Sequence, residues 1–130
     1  MTQNDPLEMF KEILDEIKEY SERGVTLIVE GKKDRDSLRK IGFRGPIITI
    51  SGVKIHEIVE RNRGREVIIL TDFDKEGERL AATILSYMID ASNLTTYFRE
   101  KIRRLRTYIT PCVEGFAKMY FKTESLFEEL

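Results

Sequence analysis

Two short acidic segments contain the residues of this chain that are best suited to catalysis or to metal binding. Glu30 ends one apolar run, and Asp72 and Asp74 follow another. On an extended backbone, residues two apart point the same way. Carboxylates brought close together repel one another unless a cation lies among them, and an all-oxygen set suits Mg²⁺, with Mn²⁺ as the alternative. Such a site favours phosphoryl transfer, in which a metal offsets phosphate charge and a nearby acid or base moves the proton.

The residues beside these acids are suited to holding a phosphate. Gly31 and Gly77 allow the backbone to approach a ligand closely, and a helix that begins near Gly77 directs its positive end to the same place. Four neighbouring basic residues are predicted to contact phosphate oxygens, namely Lys32, Lys33, Lys75 and Arg79. The alternative is that acids such as Asp34 and Asp74 only cap helices. We favour the metal site because both acidic segments follow predicted strands and have adjacent glycines.

The elements that must position these residues predict an α/β fold. Apolar, β-branched runs at residues 25–30, 46–50 and 66–71 are typical of buried strands. Helices are predicted at residues 6–23, 34–41, 51–64 and 77–90, and a helical stripe runs from Phe98 to Ile109. Continuous apolar strands alternating with helices indicate a parallel sheet covered on both faces, with ligands beyond the carboxyl ends of its strands. Residues 93–98 fit either a fourth strand or a helix, so we expect about four strands.

Length and composition limit the remaining possibilities. The 130 residues are 41% hydrophobic and 35% charged, which suits one packed core. We expect an amphipathic N-terminal helix over residues 1–23, a core over residues 24–95 and a helical extension over residues 96–130. The chain has one cysteine and one histidine, which argues against a disulfide and against a site with several imidazoles. It has no apolar run of about 20 residues and no signal-peptide pattern, so we expect a cytoplasmic protein with no membrane partner.

The net charge is only −1, but acidic and basic residues are concentrated in different segments of the chain. Residues 1–22 carry seven acids and two bases, whereas residues 98–106 carry five bases and one acid. The basic segment is predicted either to bind nucleic-acid phosphates or to pair with the acidic first helix, and the sequence leaves both interpretations open. Its candidate phosphate-binding residues are Arg99, Arg103, Arg104 and Arg106.

The two acidic segments resemble the motifs of the Toprim domain. Residues 29–34 are similar to its first motif, and residues 71–78 are similar to its Asp-x-Asp motif in the form found in type IA topoisomerases. Primases and the nucleases that mature 5S ribosomal RNA share this domain, and the chain is most similar to small stand-alone archaeal members. The resemblance implies a Rossmann-like three-layer fold around a central parallel sheet.

The resemblance also implies roles for individual residues. Glu30 is similar to a glutamate that acts as a general acid or base and contacts the metal. Asp72 and Asp74 match Mg²⁺-binding aspartates, and Glu76 matches a third acid of the topoisomerase form. Asp34 and Arg79 occupy positions that are often polar in the family.

These features lead to two hypotheses about function. The first is a Mg²⁺-dependent nuclease that hydrolyses phosphodiester bonds, with RNA favoured over DNA. The second is a non-catalytic, metal-binding RNA- or DNA-binding component of a ribonucleoprotein or nucleic-acid-processing complex. Phe116, Tyr120 and Phe121 could stack on bases, or they could cover the core or a dimer contact. The sequence also leaves open whether the chain is a monomer or a dimer.

Overall fold

A computed structural model of the protein describes residues 5–88 and 92–128. Its helices are α1 (Pro6–Glu22), α2 (Lys32–Ile41), α3 (Ile55–Arg61), α4 (Lys75–Tyr87), α5 (Ser92–Arg103) and α6 (Phe116–Glu128), with a 3₁₀ turn at Val113–Gly115. Its strands are β1 (Thr26–Val29), β2 (Ile47–Thr49) and β3 (Val67–Ile69). The end predicted at residue 90 for the fourth helix lies outside the described residues.

Local sequence signals set several helix ends. Asp5 caps α1 by accepting a hydrogen bond of 3.0 Å from the backbone N–H of Leu7, and Pro6 takes the first helical position, where no N–H is needed. Gly42 ends α2 with a φ of 111°, a left-handed conformation that favours glycine. Asp74 caps α4 through a hydrogen bond of 2.8 Å from the N–H of Gly77.

The strands of the described residues form one parallel sheet in the order β2-β1-β3. Leu27 of β1 pairs with Ile47 of β2 and with Ile68 of β3. The chain therefore leaves β1 toward one side to form β2 and then crosses to the other side to form β3. In open sheets of this kind, the point where the strand order reverses is where ligands bind, and here that point is the carboxyl end of β1.

Alternate residues of the strands face two apolar layers. Leu27 and Val29 of β1 join the larger core cluster, together with Phe10, Leu14 and Phe98. Ile28 points the other way, into a cluster built with α3 and α4. Helices α1, α2, α5 and α6 thus cover one face of the sheet, and α3 and α4 cover the other. This is the arrangement expected for a three-layer fold. The division into residues 1–23, 24–95 and 96–130 stays a prediction.

The expected fourth strand is wrong, because residues 93–98 lie in α5 and the described residues form a three-stranded sheet. The outer edge of β3 is instead satisfied by a buried side chain of α5. Thr95 Oγ1 accepts a hydrogen bond of 3.0 Å from the N–H of Ile69 and donates one of 3.2 Å to the carbonyl of Val67. A helix side chain therefore supplies the partners that another strand would give.

Within residues 5–88 and 92–128, none of the helices combines the length and the apolar character that a bilayer span needs.

A candidate metal site at the carboxyl edge of the sheet

Glu30 and Asp72 meet because β1 and β3 are parallel neighbours. The N–H of Leu70 donates to the carbonyl of Ile28, as in an ordinary parallel ladder. Two residues further on, the N–H of Asp72 donates instead to the carboxylate Oε2 of Glu30, at 2.7 Å. This hydrogen bond fixes the Glu30 carboxylate against the backbone of Asp72. The predicted meeting of these two strand ends is therefore present in the structure.

The loop before α6 holds Asp72 and its neighbour in place. The N–H of Val113 donates to Asp72 Oδ1 at 2.9 Å, and the N–H of Phe73 donates to the carbonyl of Pro111 at 2.6 Å. Phe73 packs against the core, with its ring centroid 6.1 Å from that of Phe116. The C-terminal segment thus takes part in building the site, which the motifs alone do not indicate.

The carboxyl groups of this edge are held where ionisation is costly. Burial, the largest cause, raises the pKa of Glu30 above its ordinary value, and the charges of Asp72 and Asp74 raise it further. Burial likewise raises the pKa of Asp72. Repulsion from the charge of Asp74 raises this pKa further, whereas the positive charge of Arg99 lowers it. Burial also raises the pKa of Asp34. A bound cation would relieve this repulsion.

The donor atoms fit a hard cation with few protein ligands. In Glu30, Asp72 and Asp74, one carboxylate oxygen is bonded to a backbone N–H, and the other has no hydrogen-bond partner among the described residues. The described residues contain no group of three or more Asp, Glu, Cys or His side chains arranged to hold one ion. The expected carboxylate triplet around a single ion is therefore not assembled. Mg²⁺ still suits the site, because it binds through one or two carboxylates and completes its shell with water and phosphate oxygens.

A cleft of about 630 Å³ opens in front of these groups. Glu30, Asp34 and Asp72 line it, together with the predicted phosphate contacts Lys32 and Lys33. Both lysines are exposed at the start of α2, where the helix dipole also favours an anion. The cleft therefore combines carboxylate oxygens with cationic side chains, as a metal-bound phosphate requires.

Glu114 is a residue of the site that neither acidic motif includes. This exposed residue of the 3₁₀ turn lines the same cleft, and its charge helps to raise the pKa of Asp34 and of Asp72 after the larger effect of burial. Glu114 lies outside both motifs, and only the packing of the C-terminal segment brings it to the cleft. The sequence carries no spacing signal that could have identified it.

The two glycines beside the acids have different roles. A Cβ at Gly77 would overlap the backbone of Asp72, including its carbonyl oxygen. Gly77 is therefore needed for α4 to pack against the Asp72 loop, whereas the sequence suggested only close approach to a ligand. A Cβ at Gly31 would have the carboxylate of Asp34 as its nearest neighbour, at 4.0 Å, which leaves this position open. The N–H of Gly31 donates to that carboxylate at 2.9 Å.

Arg99 is buried, with 2% of its surface exposed, so its predicted contact with phosphate is wrong. Its guanidinium donates to the carbonyls of Ile69, Thr71 and Asp72 and also to Glu78. All of its N–H donors are thus used inside the fold. Arg103 is committed to the same acid, at 2.6 Å and 2.9 Å from its two carboxylate oxygens. Arg99 thus holds the β3 edge and its loop, whereas Arg103, whose side chain is 42% exposed, contacts only Glu78 of α4 among the described residues, and its phosphate contact stays a prediction.

The remaining predicted residues lie on the surface. Glu76 pairs with Arg79 at 3.2 Å, and it does not line the acidic cleft formed by the described residues. Arg104 pairs with Glu100 at 3.1 Å, while Lys75 and Arg106 are exposed. Lys101 pairs with Glu16 of α1 at 3.9 Å, so one base of the 98–106 segment does meet the acidic first helix. The segment is therefore divided between internal ion pairs and exposed charges.

Comparisons with known proteins agree with this description. A model of the Toprim domain matches residues 25–107, a span that includes both acidic segments and α5. The UPF0292 protein of Pyrococcus furiosus is 35% identical over 120 residues, covering 92% of this chain and 87% of that protein. The UPF0292 protein of Methanocaldococcus jannaschii is 40% identical over 88 residues, covering 65% of this chain and 68% of that protein. A solved structure of a protein from Aquifex aeolicus matches with a TM-score of 0.57 at 25% identity, covering 80% of this chain and 94% of that one.

Proposed function

Because this chain belongs to the Toprim family and to the UPF0292 proteins, we propose that it hydrolyses phosphodiester bonds in nucleic acid, preferably RNA, with the help of Mg²⁺. The family itself implies a metal-binding function related to nucleic acids. Hydrolysis, the choice of Mg²⁺ over Mn²⁺ and the preference for RNA are the specific parts of the proposal.

The observation that carries the proposal is the hydrogen bond of 2.7 Å between the Asp72 N–H and Glu30 Oε2. It fixes the Glu30 carboxylate against the backbone of Asp72, so that acidic residues from two strand ends meet at one edge of the sheet. Asp72 and Asp74 are the proposed ligands, through the oxygens that no backbone N–H occupies, and Glu30 is the proposed general acid or base. Lys32 and Lys33, which line the same cleft, are the proposed contacts for the non-bridging phosphate oxygens.

The bound ion would supply positive charge that offsets the charge on the phosphate. Glu30 is suited to hold or accept a proton at Oε1, because burial raises the pKa of this carboxyl above its ordinary value. Its other oxygen stays fixed by the Asp72 N–H, which orients the carboxylate. The proposed general acid or base is therefore positioned before any substrate arrives.

Cleavage of labelled RNA and DNA in Mg²⁺ or Mn²⁺ tests this function. We expect wild-type protein to cleave RNA, EDTA to stop it, and Asp72→Asn or Glu30→Gln to lower the rate by about a hundredfold or more. Glu66→Gln is the matched control, because Glu66 is exposed at the opposite end of β3. Wild-type protein that cleaves neither polymer, or an Asp72→Asn variant as active as wild type, would rule out the nuclease.

A second function, binding of nucleic acid without turnover, is favoured by one feature of the site. The described residues contain no preassembled set of three metal-ligating side chains. A protein that binds nucleic acid without cleaving it would need only cationic side chains and a cleft whose negative charge is partly neutralised. This alternative predicts RNA binding that persists in Asp72→Asn, falls steeply with salt and is accompanied by no cleavage.

A further inference from the structure

A second cavity, of about 420 Å³, lies beside the acidic cleft between α2 and α6. We call it the α2–α6 groove; the lining residues considered below are Lys33, Asp36, Lys40, Glu114, Lys118 and Phe121. Lys33 and Glu114 also line the acidic cleft, so the two cavities meet at those side chains. A polymer held in the cleft therefore has a continuous path into the groove.

The base of the groove is built from buried contacts. Ser37 of α2 is buried, and its Oγ accepts a hydrogen bond of 3.0 Å from the N–H of Ala117 in the first turn of α6. Leu38, Ile41 and Phe116 pack in the core beneath the two helices. The groove walls are thus set by the fold and do not require a ligand to form them.

Positive charge lines both sides of the groove. Lys33 and Lys40 lie on one face of α2, seven residues apart, which is roughly 10 Å along the helix axis. Lys118 faces them from α6, and all three side chains are exposed. None of the three takes part in an ion pair among the described residues. These charges are therefore available for an anionic ligand.

An aromatic ring and two acids, Asp36 and Glu114, complete the groove. Phe121 is 43% exposed and lies one turn beyond Lys118, further along α6 from the Asp72 loop. An exposed ring beside cationic side chains is the combination that binds single-stranded nucleic acid, since bases stack on the ring while phosphates meet the charges. Asp36 repels phosphate, but its carboxylate can accept a hydrogen bond from a ribose 2′-hydroxyl, which favours RNA over DNA.

We propose that the α2–α6 groove binds the part of a single-stranded RNA that extends away from the acidic cleft. The inference rests on the proposed function, because the groove continues the cleft in which the phosphodiester would lie. The distance between Lys33 and Lys40 corresponds to about three nucleotides of a stacked strand at roughly 3.4 Å each. Lys33 and Lys40 contact phosphates about three nucleotides apart, and Phe121 stacks on a base at the far end.

The test measures the affinity of the full chain for a labelled single-stranded RNA of about 12 nucleotides, by fluorescence anisotropy in EDTA. The double substitution Lys40→Glu and Lys118→Glu is expected to raise Kd at least tenfold. It should also reduce the slope of log K against log salt by about 1.4, which is about 0.7 for each of two phosphate contacts. Phe121→Ala is expected to weaken binding about fivefold or more without any change of charge.

The matched control is the double substitution Arg44→Glu and Arg65→Glu. It makes the same change in net charge at two exposed residues that precede β2 and β3, at the opposite edge of the sheet. This variant should keep its Kd within about threefold of wild type. Equal losses of affinity in the two double variants would assign the effect to net charge and overturn the proposal that the groove binds RNA. Unchanged binding in the Lys40 and Lys118 variant would overturn it as well.

Two further results separate the groove from the proposed reaction. Asp72→Asn should lose cleavage but keep its affinity for RNA in EDTA, so failure of hydrolysis leaves the groove result intact. A DNA strand of the same sequence should bind more weakly than the RNA, and equal affinity would overturn the choice of RNA. Wild-type protein that binds no single-stranded RNA would overturn the groove altogether. Thermal unfolding of each variant confirms that it is folded.

Discussion

Arg99 and Glu78 form an ion pair of 2.9 Å that joins α5 to α4 beside the third strand. The Arg99 side chain is 3% exposed, and the same guanidinium holds the carbonyls of Thr71 and Asp72. Phe73 lies against it, with the ring centroid 4.1 Å from the guanidinium carbon. The pair therefore fixes the loop that carries the proposed metal ligands.

Glu78→Gln is expected to destabilise the fold by about 2–3 kcal/mol, because it leaves a buried arginine charge without its carboxylate. This lies below the usual cost for a fully buried pair, since the Glu78 side chain is 28% exposed. Urea unfolding measures the change. Glu100→Gln is the control: it breaks an exposed pair with Arg104 and should cost less than about 1 kcal/mol. Equal losses in both variants would show that burial of the pair contributes nothing.

The same variant should change the pH dependence of stability on the acid side. Hydrogen bonds from Arg103 and Arg99 lower the pKa of Glu78 below its ordinary value of 4.5. Its stabilisation is therefore fully present above that ordinary value and is lost as the pH falls through the lower pKa of the folded state. In Glu78→Gln this loss disappears, so the two unfolding free energies should converge at acid pH. Curves that stay parallel would contradict this.

Glu30→Gln should have the opposite dependence on pH. Burial and neighbouring charges raise the pKa of Glu30, so its contribution to stability falls as the pH rises from its ordinary value of 4.5 through the raised value. The metal-free variant should therefore be more stable than wild type near neutral pH, with the difference vanishing in acid. Denaturant unfolding from acid to neutral pH measures it, with Glu66→Gln as the control. A less stable Glu30→Gln variant at neutral pH would contradict the prediction.

Gly77→Ala is expected to damage both the fold and the site, because a Cβ there would overlap the backbone of Asp72. The backbone must shift to accommodate it, at a cost of about 2 kcal/mol or more. Gly31→Ala is a matched control, since the nearest atom to its added Cβ is 4.0 Å away. Thermal unfolding and metal titration compare the two. A Gly77→Ala protein as stable as Gly31→Ala would show that the Asp72 loop is not constrained.

Mg²⁺ or Mn²⁺ should raise the unfolding temperature of the wild-type protein. At a concentration tenfold above Kd, a ligand that binds only the folded state contributes about 1.4 kcal/mol, which is roughly 4–6 °C for a chain of this size. Asp72→Asn should abolish most of this shift, and the Glu66→Gln control should retain it. A shift that is the same in Asp72→Asn and wild type would place the ion elsewhere.

Much of the fold follows from local patterns. The apolar runs at residues 25–30, 46–50 and 66–71 predicted the three strands, and the helix spacings predicted the elements that flank them. The motifs at residues 29–34 and 71–78 predicted the family, which the comparisons confirm. Residues 93–98 were ambiguous because Thr and Tyr favour strands, whereas burial of Thr95 and Arg99 against β3 decided for a helix.

Some residues of the candidate site could also be predicted from the sequence, and others could not. The types and order of Glu30, Asp72 and Asp74 were predictable, since strand ends of a parallel sheet share one edge. The role of Arg99 was not predictable, because an arginine in a basic run looks the same in sequence whether it faces phosphate or caps a strand edge. Glu114 was equally hidden, since its place depends on where the C-terminal segment packs.

The amino-acid sequence by itself determined which residues can carry negative charge, which segments form the three strands and most of the helices, and which family the chain belongs to. These properties depend on neighbours within a few residues or on a short motif. Only the tertiary structure decided that Arg99 is buried and holds the Asp72 loop, and that Val113 and Glu114 lie beside the acidic cleft. It also decided that α2 and α6 form a groove. Those facts depend on contacts between residues far apart in the chain, which local periodicity does not encode.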